Sequence, residues 1–282
     1  MKKFVRIRTR NSTARPLRRS ILVDDWAVCR LGSLTATEDC FDTPRKVTEV
    51  NTVDAIQNSR SKLRMKECFA EKKVPQADAW TYCGQIYGDD QYRYSMNRLQ
   101  FTDRDLAPTN ISELSYPLVA KRVFGFQGRG MRLLSNVGEM RNFIDSHNDL
   151  SGWLFEVHHN YSREYRLHVG KGVGVFLSWR KLRRRNATER WFFNSENCEW
   201  YGEQHGLFDK PKVWKAMCKA ARDALSSTGL EIGAVDIRVQ SNTQDDPKFI
   251  VCEINSAPAL AELGIELYKD VIRKIINKKK NA

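Results

Sequence analysis

Long apolar runs are missing from this chain. The longest candidates, such as SILV at 20–23, fall far short of the roughly 18–20 residues needed to span a bilayer, so no segment reads as a transmembrane helix. Cysteine is present but unpatterned. There are seven, at 29, 40, 68, 83, 198, 218 and 252, an odd count with no CxxC spacing. That argues against a disulfide framework or a zinc knuckle and for reduced thiols. The five histidines show no HExxH or similar spacing; the pair His158 and His159 sits at a strand end and reads as structural or surface. There is no Gly-x-Ser-x-Gly elbow, no Walker GxxxxGK[ST] loop and no GxGxxG at a strand-to-helix turn. Internal repeats and low-complexity segments are absent. Acid is missing before Asp24. An acid-free, Arg- and Ser-rich start fits a mitochondrial transit peptide. The alternation of Val5, Ile7 and Thr9 with Arg6, Arg8 and Arg10 fits a first β-strand better. With no signal peptide, the chain is expected in the cytoplasm.

What is present is an ordinary globular profile: 282 residues, 41% hydrophobic and 29% charged, enough for one large domain or a few small ones with a sizeable core. The formal net charge is +13, and it is uneven. Residues 171–190, KGVGVFLSWRKLRRRNATER, carry seven basic residues against one acid, Glu189. The tail KDVIRKIINKKK is also basic. Such a field attracts polyanions, whether nucleic acid, acidic peptide or nucleotide phosphates, or serves only solubility. Composition does not choose between them. Trp179, Trp191, Phe192 and Phe193 lie near the basic run. They could stack single-stranded bases or point inward from a solvated hairpin.

Periodicity predicts the elements. Residues 24–60 are rich in turn formers and predict a loosely structured region with a strand or two. VDAIQNSRSKLRMKECFAEKKV predicts a helix, broken near 58–60 and stopped by Pro75, then an extended passage to Tyr82. Residues 117–135 predict a hairpin: PLVAKRV, the Gly-rich connection GFQGRG, and MRLLS. A helix at GEMRNFIDSH follows, then strands at 153–159 and 164–179 with a turn at 170–174. Residues 211–228 predict a helix with proline at its first position and Gly229 after its end. GAVDIRVQ and KFIVCEIN predict paired strands, and GIELYKDVIRKII a final helix. The mixture, linked mostly by hairpins, is α+β or mixed α/β.

Three constellations carry chemistry. Asp236 in AVDIRV shares a strand face with Ala234 and Arg238. Glu253 and Asn255 in FIVCEIN share a face, read together with Phe249 and Val251. If the strands pair, two carboxylates and an amide oxygen converge. That set suits Mg²⁺, a hard cation; a solvated hairpin face is the other reading. Lys121 lies between Val119 and Val123 on one strand face, where an unpaired ammonium would be costly to bury. Four residues on, glycines 125, 128 and 130 allow backbone N–H groups to approach a phosphate; they equally suit an ordinary hairpin tip.

In order and spacing over roughly residues 51–270, these segments resemble an ATP-grasp enzyme, most like the ribosomal-protein glutamate ligase branch and its viral and bacterial relatives. NTVDAIQNSRSKLRMKECFAEKKVPQAD resembles the family's Asp-Lys-Leu helix, with Lys62 at the lysine position and Ser61 in place of the usual acid. YPLVAKRVFGFQGRG resembles the lysine strand and flexible Gly-rich loop, which implies Lys121, Gln127, Gly128 and Gly130 on ATP. WLFEVHH resembles the hinge strand that holds adenine, implying Glu156 and Val157. In SREYRLHV, Glu164 takes the place of an acid near the ribose, followed by Arg166. AVDIRV and CEINSAPAL resemble the two metal strands, implying Asp236, Glu253 and Asn255 as ligands of Mg²⁺, two ions, with Mn²⁺ as a substitute. Asn255 to Ala259 reads NSAPA where the family more often ends in glycine. The family's arginine facing the transferred phosphate falls out of register here, leaving Arg190 and its rival Arg180.

The resemblance implies two α+β subdomains gripping ATP, at 61–157 and 158–282, preceded by a small N-terminal α/β domain at 1–60. It also implies an ADP-forming ligation of a carboxylate to an amine through an acylphosphate, with an acidic polypeptide or other polyanion docking on 171–190. A kinase on the same fold is one alternative, and a basic nucleic-acid-binding protein without ligase activity is the other.

Overall fold

A computed structural model describes residues 2–43, 46–88, 91–98, 109–125, 128, 130–188, 190–194, 196–241 and 245–281. Among them no helix is long and apolar enough to cross a membrane, and all seven cysteines are free.

The N-terminal part is more ordered than its turn-rich sequence predicts. β1 (Lys3–Phe4) and β3 (Leu22–Val23) make a small antiparallel pair. β2 (Arg6–Thr9), β4 (Ala27–Leu31) and β5 (Thr48–Val50) form a parallel sheet in the order β2-β4-β5. The alternation of Ile7 with arginines does mark a strand. β4 was hidden because Arg30, at 0% exposure, interrupts its apolar run. Its guanidinium is satisfied inside, by Glu49 Oε2 at 2.6 Å, Thr37 Oγ1 at 2.7 Å and the Thr35 carbonyl at 2.8 Å.

The predicted broken helix is two helices, α1 (Val53–Arg60) and α2 (Lys62–Glu71). Ser61 sits between them in an extended conformation, and its hydroxyl accepts from Arg64 N, capping α2. The next sheet is antiparallel. It comprises β6 (Ala79–Gly88), β7 (Gln91–Arg98), β8 (Thr109–Asn110), β9 (Leu118–Arg122), β10 (Arg132–Leu134) and β11 (Trp153–Val157), in the order β10-β9-β11-β6-β7-β8. The predicted hairpin at 117–135 is β9 paired with β10. α3 (Val137–Asp145) covers one face through Met140, Phe143 and Ile144, against Leu118, Ala120, Trp153 and Phe155. Alternation therefore turns Val119, Lys121, Leu154 and Glu156 to the other face.

The third part is a five-stranded antiparallel sheet of β12 (Arg163–Gly170), β13 (Gly174–Arg183), β14 (Cys198–Gly202), β15 (Ile232–Val239) and β16 (Phe249–Asn255), ordered β14-β13-β12-β15-β16. α4 (Trp214–Ser227) starts three residues later than its proline suggests, because residues 211–213 form a turn closed by Trp214 N on the Pro211 carbonyl. It packs with α1 and α2 on the face bearing Tyr165, Leu167, Val235, Ile237 and Val251. α5 (Glu262–Lys280) outruns its predicted length and seals the N-terminal sheets through Tyr268, Ile272 and Ile276. The other face of the five-stranded sheet carries Glu164, Arg166, Lys181, Asp236 and Arg238.

One residue ties the first sheet to the third. Asn51 is fully buried at φ +58°. Its amide nitrogen donates to the Arg30 and Ile232 carbonyls, each at 2.9 Å. Its oxygen accepts from Glu231 N at 2.7 Å and Ile232 N at 3.1 Å. Replacing it leaves buried backbone groups unpaired, which costs about 1–3 kcal/mol each. Asn51→Gly should therefore lower unfolding free energy by at least about 2 kcal/mol despite tolerating the φ, with Asn51→Ala lower still. Urea denaturation checks this; a glycine variant as stable as the parent would contradict it.

Candidate active site

The two polar faces oppose each other across a cleft of about 460 Å³, with α2 along one side and residues 255–259 at one end. The cleft is lined by Lys62, Lys121, Gly128, Glu156, Val157, Glu164, Asp236, Glu253 and Asn255. All nine were singled out above for nucleotide or metal contact. Gly130 lines an adjoining cavity instead, and Gln127 lies outside the described residues.

On the floor, Asp236 pairs in register with Glu253, and Ala234 with Asn255. Asn255 Nδ2 lies 3.2 Å from Glu253 Oε1 and 3.5 Å from Asp236 Oδ2, so the three side chains do converge. The expected shared face with Val251 does not hold. The register shifts between Asp236 and Ile237, a β-bulge that inserts one extra residue and reverses the alternation. Val251 is in the core, while Cys252 and Glu253, adjacent in sequence, both line the cleft. Burial pushes the Cys252 thiol up to about 12, which keeps it protonated.

The walls are a lattice of ion pairs. Arg166 grips Asp236 with Nε and Nη2, both at 2.7 Å. Lys181 Nζ reaches Asp236 Oδ2 at 3.1 Å and also bonds Glu164. Arg238 Nε holds the other Glu164 oxygen at 2.9 Å. Burial alone would raise the Asp236 carboxyl, but Arg166 and then Lys181 outweigh it and hold it well below the usual carboxylate range. The same carboxylates keep Lys181 charged against the desolvation it suffers. Trp200 closes the lattice, with Arg166 and Lys181 each 4.7 Å from its ring centre. Opposite, Glu156 is held by Lys121 at 2.7 Å and Lys66 at 2.9 Å. Burial opposes its ionisation, yet the two ammonium groups bring its carboxyl down to about 2.

Lys62 differs from these. Its ammonium donates to the Gly125 carbonyl at 2.7 Å, and no carboxylate lies within ion-pair range among the described residues. Desolvation pulls its pKa down, the Glu253 carboxylate opposes that and Lys121 adds to it. Around the whole cleft, Lys62, Lys66, Lys121, Arg166, Lys181 and Arg238 face four carboxylates, while Arg122 turns away onto Trp153. The site has cations in excess, as an anion site requires.

Several sequence expectations land elsewhere. Arg180 does not reach the cleft: it bonds the Leu207 carbonyl at 2.6 Å and Asp209. Its neighbour Lys181 faces in, because successive strand residues point opposite ways. Arg190 is exposed and does not line the cleft. The backbone amides of Val157 and His158 are taken by the Asp78 and Pro117 carbonyls, each at 2.9 Å. A base on this strand would use carbonyl oxygens or side chains. His158 lines the cleft and bonds the Trp191 carbonyl through Nε2. Phe193 is capped by Arg183, 4.0 Å from the ring centre, which turns this aromatic into wall rather than a free stacking platform. Lys181 and Lys66 escape the sequence reading, which places Arg238 on the face of Asp236 without a role. Their only signal was alternation with apolar neighbours, which any exposed charge on a strand or helix shares.

No protein-family model matches the chain, and no curated protein matches it. Among solved structures it is similar to N5-carboxyaminoimidazole synthase from Aspergillus clavatus in complex with ADP and 5-aminoimidazole ribonucleotide. The TM-score is 0.57 at 14% identity, covering 89% of this chain and 60% of that one. It is similar to D-alanine–D-alanine ligase from Bacillus anthracis complexed with ATP, at TM-score 0.55 and 14% identity over 90% of this chain and 81% of that one. L-amino acid ligase from Bacillus licheniformis matches at TM-score 0.50 and 15% identity over 80% and 49%. The likeness shows the fold, which is the ATP-grasp fold the sequence resembles.

The Glu156 pairing sets an acid limit on stability. Its carboxyl is depressed in the folded state, so the contribution is complete above pH about 4.5 and disappears as pH falls through about 2. That shift corresponds to about 3 kcal/mol. Glu156→Gln should lose about 3–5 kcal/mol at pH 7, leaving two ammonium groups buried without their partner, and should flatten the loss of stability between pH 4.5 and 2. Denaturant unfolding across that range checks both; an unchanged acid slope would contradict the assignment.

Proposed function

We propose that this protein is an ATP-dependent ligase that joins a carboxylate to an amine and releases ADP and phosphate. The observation that carries this reading is Lys62, a largely desolvated ammonium without a carboxylate partner, in a cleft with cations in excess. A triphosphate supplies the missing negative charge.

Lys62 and Lys121 would neutralise the phosphates, and the backbone at Gly125 and Gly128, where glycine gives close approach, would lie along them. Glu156 fixes Lys121 in place, and Glu164 fixes Lys181 and Arg238. Asp236, Glu253 and Asn255 would hold Mg²⁺. Carboxylate and amide oxygens suit a hard cation, and Glu253 makes no ion pair among the described residues. Both Asp236 oxygens already bond Arg166 and Lys181, and Asn255 turns Nδ2 to the carboxylates. A cation there would share Asp236 with Arg166 and need the Asn255 amide turned over. Two carboxylates and an amide form no closed cage, so waters and phosphate oxygens would complete the shell. When bound, Mg²⁺ offsets charge on the phosphate oxygens.

In the first step an oxygen of the acid substrate bonds to the γ-phosphorus. The bond from that phosphorus to the β–γ bridging oxygen breaks, and ADP leaves with the electron pair. In the second step the amine nitrogen bonds to the acyl carbon. The carbon–oxygen bond to phosphate breaks, phosphate leaves, and the nitrogen loses a proton. The chain's work is positioning and charge neutralisation, consistent with how phosphoryl transfer is catalysed. We divide the chain at 60 and 157, a reading supported by the parallel, six-stranded and five-stranded sheets falling in separate stretches, and we assign the nucleotide to the cleft between the last two.

Much of the basic run at 171–190 is spent internally. Lys171, Arg180 and Lys181 are ion-paired and Arg183 stacks on Phe193. Docking of an acidic substrate there would fall to Arg184, Arg185 and Arg190, which are exposed.

Incubation with Mg²⁺ and ATP against amino acids and acidic peptides, with mass spectrometry of the products, tests the reading. ADP should form only when acid and amine are both present. Glu253→Gln, which disturbs no ion pair, should lower kcat at least about a hundredfold, since several kcal/mol of charge stabilisation is removed, with no loss of melting temperature. A phosphorylated acid that accumulates without amine incorporation would replace the ligase with a kinase. Full activity of the variant would overturn the metal assignment.

A further inference from the structure

A second cavity, of about 670 Å³, opens beside the cleft, between the edge strand β10 and the connection from β13 to β14. It shares the lining residues Gly128, Met131, Trp191, Phe192 and Asn194 with the cleft, so the two spaces adjoin. The cavity is polar and presents Arg132 and Arg184 from opposite sides, with Glu196 on the same lining. All three are exposed, and among the described residues none makes an ion pair.

The connection that carries Glu196 is shaped by a reciprocal clamp. Asn197 Oδ1 accepts from Asn194 N at 2.9 Å. Asn194 Oδ1 accepts in return from Asn197 N at 2.8 Å and from Glu196 N at 3.0 Å. Asn197 Nδ2 donates to the Phe192 carbonyl at 3.1 Å, and Arg184 N donates to the Asn197 carbonyl at 2.8 Å. Arg184, Glu196 and the shared wall are thus held by one hydrogen-bonded unit.

We propose that this cavity is the amine-substrate pocket and takes an amino acid or short peptide as its zwitterion, with the carboxylate on Arg132 and Arg184 and the ammonium on Glu196. The assignment of the ligand's role rests on the ligase reading; the binding does not. Two arginines alone would accept any anion, including a nucleic-acid backbone. A carboxylate on the same lining repels a polyanion and favours a ligand that carries both charges. Arginine forks suit a planar carboxylate. The volume, within the usual range for small-molecule pockets, has room for more than one residue. The wall shared at Asn194 and Phe192 puts an amine held here beside the cleft.

The test is equilibrium dialysis of the full chain against the proteinogenic L-amino acids and their dipeptides, with and without Mg²⁺ and a non-hydrolysable ATP analogue. At least one compound should be retained. Its C-terminal amide and its N-acetyl derivative should each bind at least about tenfold more weakly, about 1.4 kcal/mol. The Arg132→Gln/Arg184→Gln variant should weaken the free acid by a similar factor but not the amide, and Glu196→Gln should weaken the free amine but not the N-acetyl form. Melting temperatures of these surface variants should match the parent; if the double glutamine variant fails to fold, Arg184→Gln alone carries the same comparison. No retention by the parent, or equal retention by parent and variants, would overturn the pocket. Retention with no ADP release from any acid and amine would remove the ligase reading and leave the pocket standing. ADP release that needs both substrates, with the amine KM unchanged in the variants, would do the reverse.

Discussion

Asp236 is a carboxylate at 3% exposure in the middle of a sheet, and the molecule is organised around making that charge tolerable. A buried ion is stable only where its partners are in place and well aligned. Arg166 from β12 supplies a two-pronged contact and Lys181 from β13 a second cation. Those cations need Glu164, and Glu164 needs Arg238. The chain of dependence runs across β13, β12 and β15, and it fixes their register more tightly than apolar packing alone. It also leaves one sheet face charged and preorganised while α4 dries the other. A mirror of this arrangement, Glu156 with Lys66 and Lys121, sits on the opposing sheet. The cleft lies between two faces that could not have been closed against each other.

That constraint explains the polarity of the site. Each carboxylate in the lattice is matched by at least one cation, and among the described residues Glu253 and Lys62 line the opening without direct ion pairs. The first needs a cation and the second an anion. A metal-bound triphosphate supplies both, which is why the ligase reading accounts for these two residues together when a solvated hairpin face does not.

Much of this was legible in the sequence, for identifiable reasons. Asp236, Glu253 and Asn255 fall on neighbouring strands at two-residue spacing, and Lys121 interrupts an apolar face. Strand alternation alone places them. The bulge at Cys252 was not legible, because it is a property of two strands in register. Alternation carried through it wrongly put Val251 on the polar face. The sequence reading named Arg190 with Arg180 as its rival and passed over Lys181 for a related reason: β13 has charged residues in both phases, and only the fold shows which phase faces the cleft. β4 went unread because Arg30 is a buried arginine with local partners, a pattern that hydropathy scores as surface. The 83–116 region gave no reading, yet β6, β7 and β8 extend the central sheet through it.

The cleft's excess positive charge is the feature that a metal-bound triphosphate would satisfy. Calorimetric titration of Mg²⁺ and ATP into the parent and into Lys62→Met tests that match most directly. The account predicts one site per chain, and binding at least about tenfold weaker in the variant, as loss of one desolvated charge contact implies. Absence of binding to the parent, or equal affinity in the two proteins, would contradict it.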